Sequence, residues 1–79
     1  MARYFFNVIA AADSIVDLEG SELPDLQSAR TEGIEQIREL MADAMRSGVD
    51  ISSRRLEIRD ASGTLLATVC FTDAIRKEG

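Results

Sequence analysis

The chain has 79 residues, of which 46% are apolar and 29% are charged, and its formal net charge is −5. It contains one cysteine and no histidine, which excludes an internal disulfide, serine-histidine and cysteine-histidine dyads, and zinc sites with histidine ligands. No apolar run approaches the roughly 18 residues needed to cross a bilayer. These numbers predict one small domain over residues 1–79, located in the cytoplasm, without membrane contact or cofactor.

The first predicted element is a strand over residues 3–9. Its aromatic and β-branched residues favour a strand, and the run is too short for an ordinary helix. Successive side chains of a strand point to opposite faces, so Phe5 and Ile9 fall on a mixed row. The other row is fully apolar and should face the core: Tyr4, Phe6 and Val8.

A shorter second strand is predicted over residues 14–18, closed by a turn in which Gly20 supplies a conformation that other residues resist. Pro24 disfavours helix at the residue before it, and the Asp25 carboxylate suits a helix N-cap. From there the apolar residues recur with a period of 3.6. This pattern predicts an amphipathic helix of about six turns that ends near Ser47.

Gly33 lies on the apolar stripe of this predicted helix. A glycine in a helix interior costs about 1 kcal/mol relative to alanine. Its position on the stripe therefore predicts a close approach between the helix and a sheet.

A hairpin is predicted after the helix. Residues 54–59 alternate as a half-buried strand, with Leu56 and Ile58 directed inward. Residues 60–63 begin with aspartate and end with glycine, as a type I turn prefers, and they lead into a last strand over residues 64–71.

Alternation along that last strand predicts that Leu65 faces the core and that Leu66 and Cys70 face outward. The cysteine lies between two apolar residues, which favours packing over a reactive thiol. A final helical turn is predicted over residues 73–77, with Thr72 as its cap.

These elements predict an α+β fold in the order β-β-α-β-β, an antiparallel sheet of about four strands with one long helix packed on one face. The uncovered face would carry an apolar centre with a charged surround, which is typical of a contact site. We therefore predict a non-enzymatic interaction or regulatory module that forms a homo-oligomer, in the simplest case a dimer, or binds another protein. The predicted interface residues are Phe5, Ile9, Leu66, Arg55 and Arg59.

Short motifs in a fixed order along nearly the whole chain resemble a known bacterial family. They are Arg3-Tyr4-Phe5-Phe6-Asn7-Val8, Asp17 with Glu19-Gly20, Glu22-Leu23-Pro24-Asp25, Arg55-Leu56-Glu57-Ile58-Arg59-Asp60 with Gly63, and Val69-Cys70-Phe71. The sequence thus resembles the domain-of-unknown-function family numbered 6894, found in short proteins of rhizobia and related alphaproteobacteria. The resemblance implies no assigned activity, substrate or cofactor, so it supports the fold and leaves the function open.

Catalysis and metal binding have weaker sequence support. Residues 13–25 carry five carboxylates and no base, but their spacing does not match a calcium loop, and Asp17 and Asp25 suit a turn and a cap. A solvated acidic loop is favoured over a cation site, and no metal ligand is predicted. Carboxylates that act as acid and base need a pocket that separates their pKa values, and so small a domain leaves little room for one. No catalytic residue is predicted.

Nucleic-acid binding is the remaining alternative. Arg54, Arg55 and Arg59, with Arg3 nearby, could contact phosphates. Tyr4 or Phe5 could stack on a base. Interleaved acidic residues and the net charge of −5 oppose this, because a negative chain repels phosphate backbones. A small nucleic-acid-binding or toxin-antidote type regulator is therefore kept only as the alternative function.

Overall fold

The computed structural model describes residues 1–76 and has the predicted α+β architecture. It contains five short or medium strands, one long helix and a terminal 3₁₀ helix. In chain order these are β1 (Ala2–Ile9), β2 (Ser14–Ile15), β3 (Ser21–Leu23), α1 (Leu26–Arg46), β4 (Arg55–Arg59), β5 (Leu65–Cys70) and the 3₁₀ helix Phe71–Ala74.

The first strand lies inside the sheet, whose order is β2-β1-β4-β5 with every pairing antiparallel. One edge of β1 pairs with β4, which sets Phe6 opposite Ile58. Its other edge is shared by two short strands. β3 pairs with the beginning of β1 and β2 pairs with its end.

The core lies between this sheet and α1. The predicted inward rows of β1 and β4 are confirmed, and α1 contributes Ala29, Gly33 and Ile37 from its buried face. Phe71 is fully buried next to them. The apolar core residues are Tyr4, Phe6, Val8, Ala29, Ile37, Ile51, Leu56, Ile58, Val69, Phe71 and Ala74.

The predicted boundaries of the helix are confirmed. Its first turn is capped by Asp25, whose Oδ1 accepts a hydrogen bond of 2.8 Å from the backbone N–H of Ser28. It ends at Arg46 with Ser47 as its C-cap, followed by Gly48 in the left-handed region. The close approach predicted at Gly33 is also present, since a Cβ there would lie 2.7 Å from Leu56 Cδ2.

The region of the second strand differs from the prediction for residues 14–18. β2 ends after two residues, and the unpredicted strand β3 follows beyond a break. Between them the Asp17 carboxylate takes the place of a strand carbonyl, because its Oδ2 accepts a hydrogen bond of 3.2 Å from the Phe6 backbone N–H. A side chain thus interrupts the strand that alternation had predicted as continuous.

The last hairpin contains a register shift that makes two face assignments wrong. Ile58 lies opposite Ala67, but Arg59 lies opposite Leu65, so Leu66 is an extra residue on β5. Leu66, predicted to face outward, is partly buried against the core. Leu65, predicted to face inward, is 46% exposed. One added residue reverses the alternation, because the side-chain period of a strand is two.

Two predictions near the end of the described chain are also wrong. Cys70 of β5 faces outward as alternation predicted, but it is exposed opposite Arg55 and not packed as expected. The 3₁₀ helix begins at Phe71, with no side-chain cap, where a helical turn over residues 73–77 capped by Thr72 had been predicted. Within that predicted turn, residue 77 lies outside the described residues.

Candidate interaction surfaces

The sheet face opposite α1 carries four of the five predicted interface residues. Side chains that lie opposite each other on paired strands share a face. The β1–β4 register sets Phe5 opposite Arg59 and Ile9 opposite Arg55. We call this surface the open face.

Leu66 does not belong to the open face. The register shift turns it toward the core and places Leu65 opposite Arg59 instead. Two adjacent leucines carry no pattern that tells which of them is the inserted residue. The sequence therefore could not predict that Leu66 faces the core and Leu65 the open face.

The centre of the open face is a row of alternating charge along β4. Arg59 Nη2 lies 3.0 Å from Glu57 Oε1, and Arg55 Nη2 lies 4.0 Å from Glu57 Oε2. The Glu57 side chain is only 14% exposed between the two arginines. Arg59 is held further by a 2.8 Å hydrogen bond from its Nη1 to the carbonyl of Gly63. Arg55 is the freer of the two, because its one ion-pair distance is long and its side chain is half exposed.

Residues 16–20, here called the clasp, join β2 to β3 across the edge of β1. Asp17 Oδ1 accepts hydrogen bonds from the backbone N–H groups of Glu19 and Gly20, at 3.2 and 3.0 Å. Its own N–H donates to Asn7 Oδ1 at 2.9 Å. Burial raises the pKa of the Asp17 carboxyl, but the N–H groups of Gly20, Phe6 and Glu19 outweigh that effect and hold the pKa below its ordinary value.

The clasp also lies against the open face. Gly20 has φ +73°, and a Cβ there would come within 2.9 Å of both Phe5 Cε2 and Arg3 Cγ. Arg3 donates from Nη1 to the Glu19 carbonyl at 2.7 Å and from Nη2 to Glu22 Oε1 at 3.0 Å. These contacts fix the position of the clasp and shield one side of the Phe5 ring.

A second surface lies on the helix side of the sheet, where sequence reasoning found no site. The clasp and the end of β2 are separated from α1 by a cleft of about 570 Å³, here called the lateral cleft. Half of the residues at its border are apolar, and most of the border comes from β1, β2, the clasp and α1. They include Phe6, Val8, Ile15, Val16, Leu18, Gln36, Leu40 and Arg54.

The family assignment follows from a comparison with protein-family models. The model described as "Domain of unknown function (DUF6894)" matches residues 3–72, which include α1, both surfaces and every strand apart from Ala2 at the start of β1. The chain belongs to the DUF6894 family. Neither the curated proteins nor the solved structures contain a match to this DUF6894 domain.

Several aspartates of this DUF6894 domain hold turns and caps. Asp60 Oδ1 accepts from the backbone N–H groups of Ser62 and Thr64, as Asp25 and Asp17 do in their own segments. Within residues 1–76 there is no group of three or more histidine, cysteine, aspartate or glutamate residues positioned to hold a metal. In the same part of the chain, no helix has the length and apolar character needed to cross a membrane.

Proposed function

We propose that this DUF6894 domain is a non-enzymatic protein-interaction module whose copies associate through the open face. The supporting observation is the composition of that face. Phe5 and Ile9 are partly exposed and Leu65 is exposed, and they flank the Arg55-Glu57-Arg59 row on the side of the sheet opposite α1. This arrangement reverses the predicted apolar centre with a charged surround, but aromatic residues and arginine are both enriched at interfaces.

The charged row supports a symmetric pair of chains. Two-fold symmetry makes each contact occur twice, with the same residues exchanged between the copies. If the axis lies between Arg55 and Glu57, each Arg55 faces the Glu57 carboxylate of the second copy. Arg55 is free for this contact, because Glu57 is held at closer range by Arg59. The pairing would set the register, while Phe5, Ile9 and Leu65 supply the apolar contact.

The proposed compartment is a bacterial cytoplasm. A single exposed thiol such as Cys70 is compatible with a reducing environment, and the family resemblance pointed to bacterial proteins. The alternative function, a nucleic-acid-binding or toxin-antidote type regulator, has less support. Arg3 is paired with Glu22 and Arg59 with Glu57, so their guanidinium groups are less available to contact phosphates.

Light scattering over a dilution series tests self-association directly. We expect the wild-type mass to be a multiple of 8.7 kDa that declines on dilution. Phe5→Glu should give a monomer, because it places a charge at the apolar part of the contact. Ala42→Glu adds the same charge at an exposed position on α1 and should leave the mass unchanged. A wild-type monomer at every concentration would contradict the proposal.

A mixing experiment tests the charged register without relying on Phe5. Arg55→Glu and Glu57→Arg should each weaken self-association, because like charges would then face each other across the axis. In a mixture of the two variants, every arginine of one chain faces a carboxylate of the other at these two positions. We therefore expect the mixture to recover the assembled mass. Failure of the mixture to recover would rule out the proposed register.

A further inference from the structure

We propose that the lateral cleft is a docking site for a basic amphipathic helix of another protein. This site lies on the helix side of the sheet and does not depend on self-association through the open face. Three properties of the cleft support it: exposed apolar side chains on its walls, an apolar floor, and carboxylates on the clasp and on the neighbouring surface of α1.

The walls of the cleft expose an unusual amount of apolar surface for so small a chain. Leu18 is 87% exposed, Ile15 60% and Val16 57%, and Leu40 of α1 is exposed on the other side of the same cleft. Single exposed apolar residues need no explanation, but several that meet at one concave site mark an interaction surface.

The floor of the cleft is apolar. It is formed by Phe6 and Val8 of β1, which are only 5% and 8% exposed and belong to the core. The helix α1 packs over β3, β4, β5 and the 3₁₀ helix, and Gly33 of α1 lies close to the Phe6 ring. An apolar stripe from a partner would therefore pack chiefly on the exposed side chains of the walls, with this floor beneath it.

The walls carry negative charge. In a helix, residues three or four positions apart lie on the same side. Glu32 and Glu39 therefore flank Gln36 on α1, next to the residues that line the cleft. Asp43, further along the helix, is paired with Arg46 at 2.6 Å and adds little free charge. On the other wall, Asp17 and Glu19 belong to the clasp and line the cleft themselves. Arg54 is the one basic residue among those that line it in the described chain.

This charge distribution selects the occupant. An acidic rim disfavours a second copy of this chain, whose net charge is −5, and it disfavours phosphate-bearing ligands. A helix of about 10 Å diameter with a leucine stripe would place that stripe against the exposed apolar side chains of the walls. Lysine or arginine residues beside the stripe would then face the carboxylates of the clasp and of α1.

Titration of the full chain with synthetic peptides tests the proposal. The probe is a peptide of about 18 residues with leucine at one helical stripe and lysine at most other positions, and the reference has the same composition with the leucines spread around the helix. We expect the striped peptide to bind about tenfold more tightly than the reference, since only it buries its leucines together. Equal binding of the two peptides would overturn the proposal, because binding would then depend on the net charge of the peptide and not on its leucine stripe.

Two neutral variants locate the site. Leu18→Ser should weaken the striped peptide about tenfold, because burial of one leucine side chain is lost. Leu18 is so exposed that this change should not disturb folding. Leu65→Ser makes the same substitution at an exposed leucine of the open face and should leave peptide affinity unchanged. If both variants behave alike, the lateral cleft is not the binding site.

Charge variants test the rim. Glu39→Gln should weaken binding and reduce its dependence on salt, because one carboxylate at the cleft is lost. Asp73→Asn removes a charge from the exposed part of the 3₁₀ helix and should do neither. The self-associated mass should be unaffected by Leu18→Ser, so a failure of this proposal is distinguishable from a failure of self-association.

Discussion

At the scale of single residues, Asp17 links two separate parts of the sheet edge. β3 pairs with residues 2–4 of β1 and β2 pairs with residues 8 and 9. The Phe6 N–H lies between these pairings and is satisfied by the Asp17 carboxylate. With the bonds from Glu19 and Gly20, one side chain accepts three backbone N–H groups. Asp17 therefore joins two short strands into one continuous sheet edge.

We expect Asp17→Asn to lower the free energy of unfolding by about 1 kcal/mol at pH 7, because hydrogen bonds to a carboxylate are stronger than those to a neutral amide. The folded pKa of Asp17 lies below its unfolded value. Its contribution is therefore complete above the unfolded pKa of about 3.9 and is lost as pH falls through the folded pKa. The difference between wild type and variant should be constant from pH 5 to 7 and shrink below about pH 4.

Urea unfolding of both proteins across this range gives the measurement. Glu19→Gln is the matched control, because its carboxylate is exposed in the same clasp while its backbone carbonyl makes the contact with Arg3. The control should track the wild type at every pH. If the wild type stayed more stable than Asp17→Asn by the same free energy down to pH 2, the negative charge of Asp17 would not be the cause of the difference.

At the scale of elements, the contact between α1 and β4 is set by a missing side chain. Gly33 faces Leu56, which is fully buried, and a Cβ at residue 33 would lie 2.7 Å from Leu56 Cδ2. Such a distance requires the leucine to move inside a packed core. The glycine therefore allows the helix to lie closer to the sheet than any larger residue would permit.

Gly33→Ala should destabilise the protein by about 1 kcal/mol, because an overpacking cost of about 1–3 kcal/mol exceeds a gain in helix propensity of about 1 kcal/mol. Leu56→Ala should cost about 2–5 kcal/mol through its cavity. In the double variant the methyl group added at residue 33 enters that cavity. The free energy of unfolding lost by the double variant should therefore be smaller than the sum of the losses of the two single variants. Thermal unfolding of the four proteins gives the coupling, and strict additivity would show that the two residues do not interact.

The elements also show where sequence reasoning succeeds. Periodicity predicted the inward rows of β1 and β4, because it repeats over several residues. Cap chemistry predicted both ends of α1, because caps depend on local hydrogen bonds. β3 has only three residues and exists because β1 offers a free edge. The bulge that exchanges Leu65 and Leu66 depends on pairing with β4. The lateral cleft depends on where α1 lies across the sheet, and no local pattern encodes that position.

At the scale of the whole molecule, order should decrease from the centre of the sheet outward. β1 and β4 pair with each other and with strands on their far edges. The clasp is held on its inner side by hydrogen bonds to Asn7 and Phe6, while most of its side chains are exposed. Local opening is easiest where few apolar contacts are lost.

Hydrogen exchange should reflect this gradient. We expect the slowest amides in β1 and β4 and the fastest in the clasp and in the turn at residues 60–63. The Phe6 amide is a sensitive reporter, because its acceptor belongs to the clasp. It should exchange faster than its buried neighbours on β1, and faster again in Asp17→Asn. Uniform protection along β1 would show that the clasp opens only with the whole domain.

The central position of β1 has a further consequence during synthesis. β1 leaves the ribosome before its main partner, since β4 begins at Arg55, 46 residues after β1 ends at Ile9 (55 − 9 = 46). At roughly 5–20 residues per second, these residues take on the order of 2–9 s to make. During that interval Tyr4, Phe6 and Val8 have no sheet partner beyond the short segments β2 and β3. The nascent chain therefore passes through a stage in which the strand that carries these three core side chains is open to chaperones or to neighbouring chains.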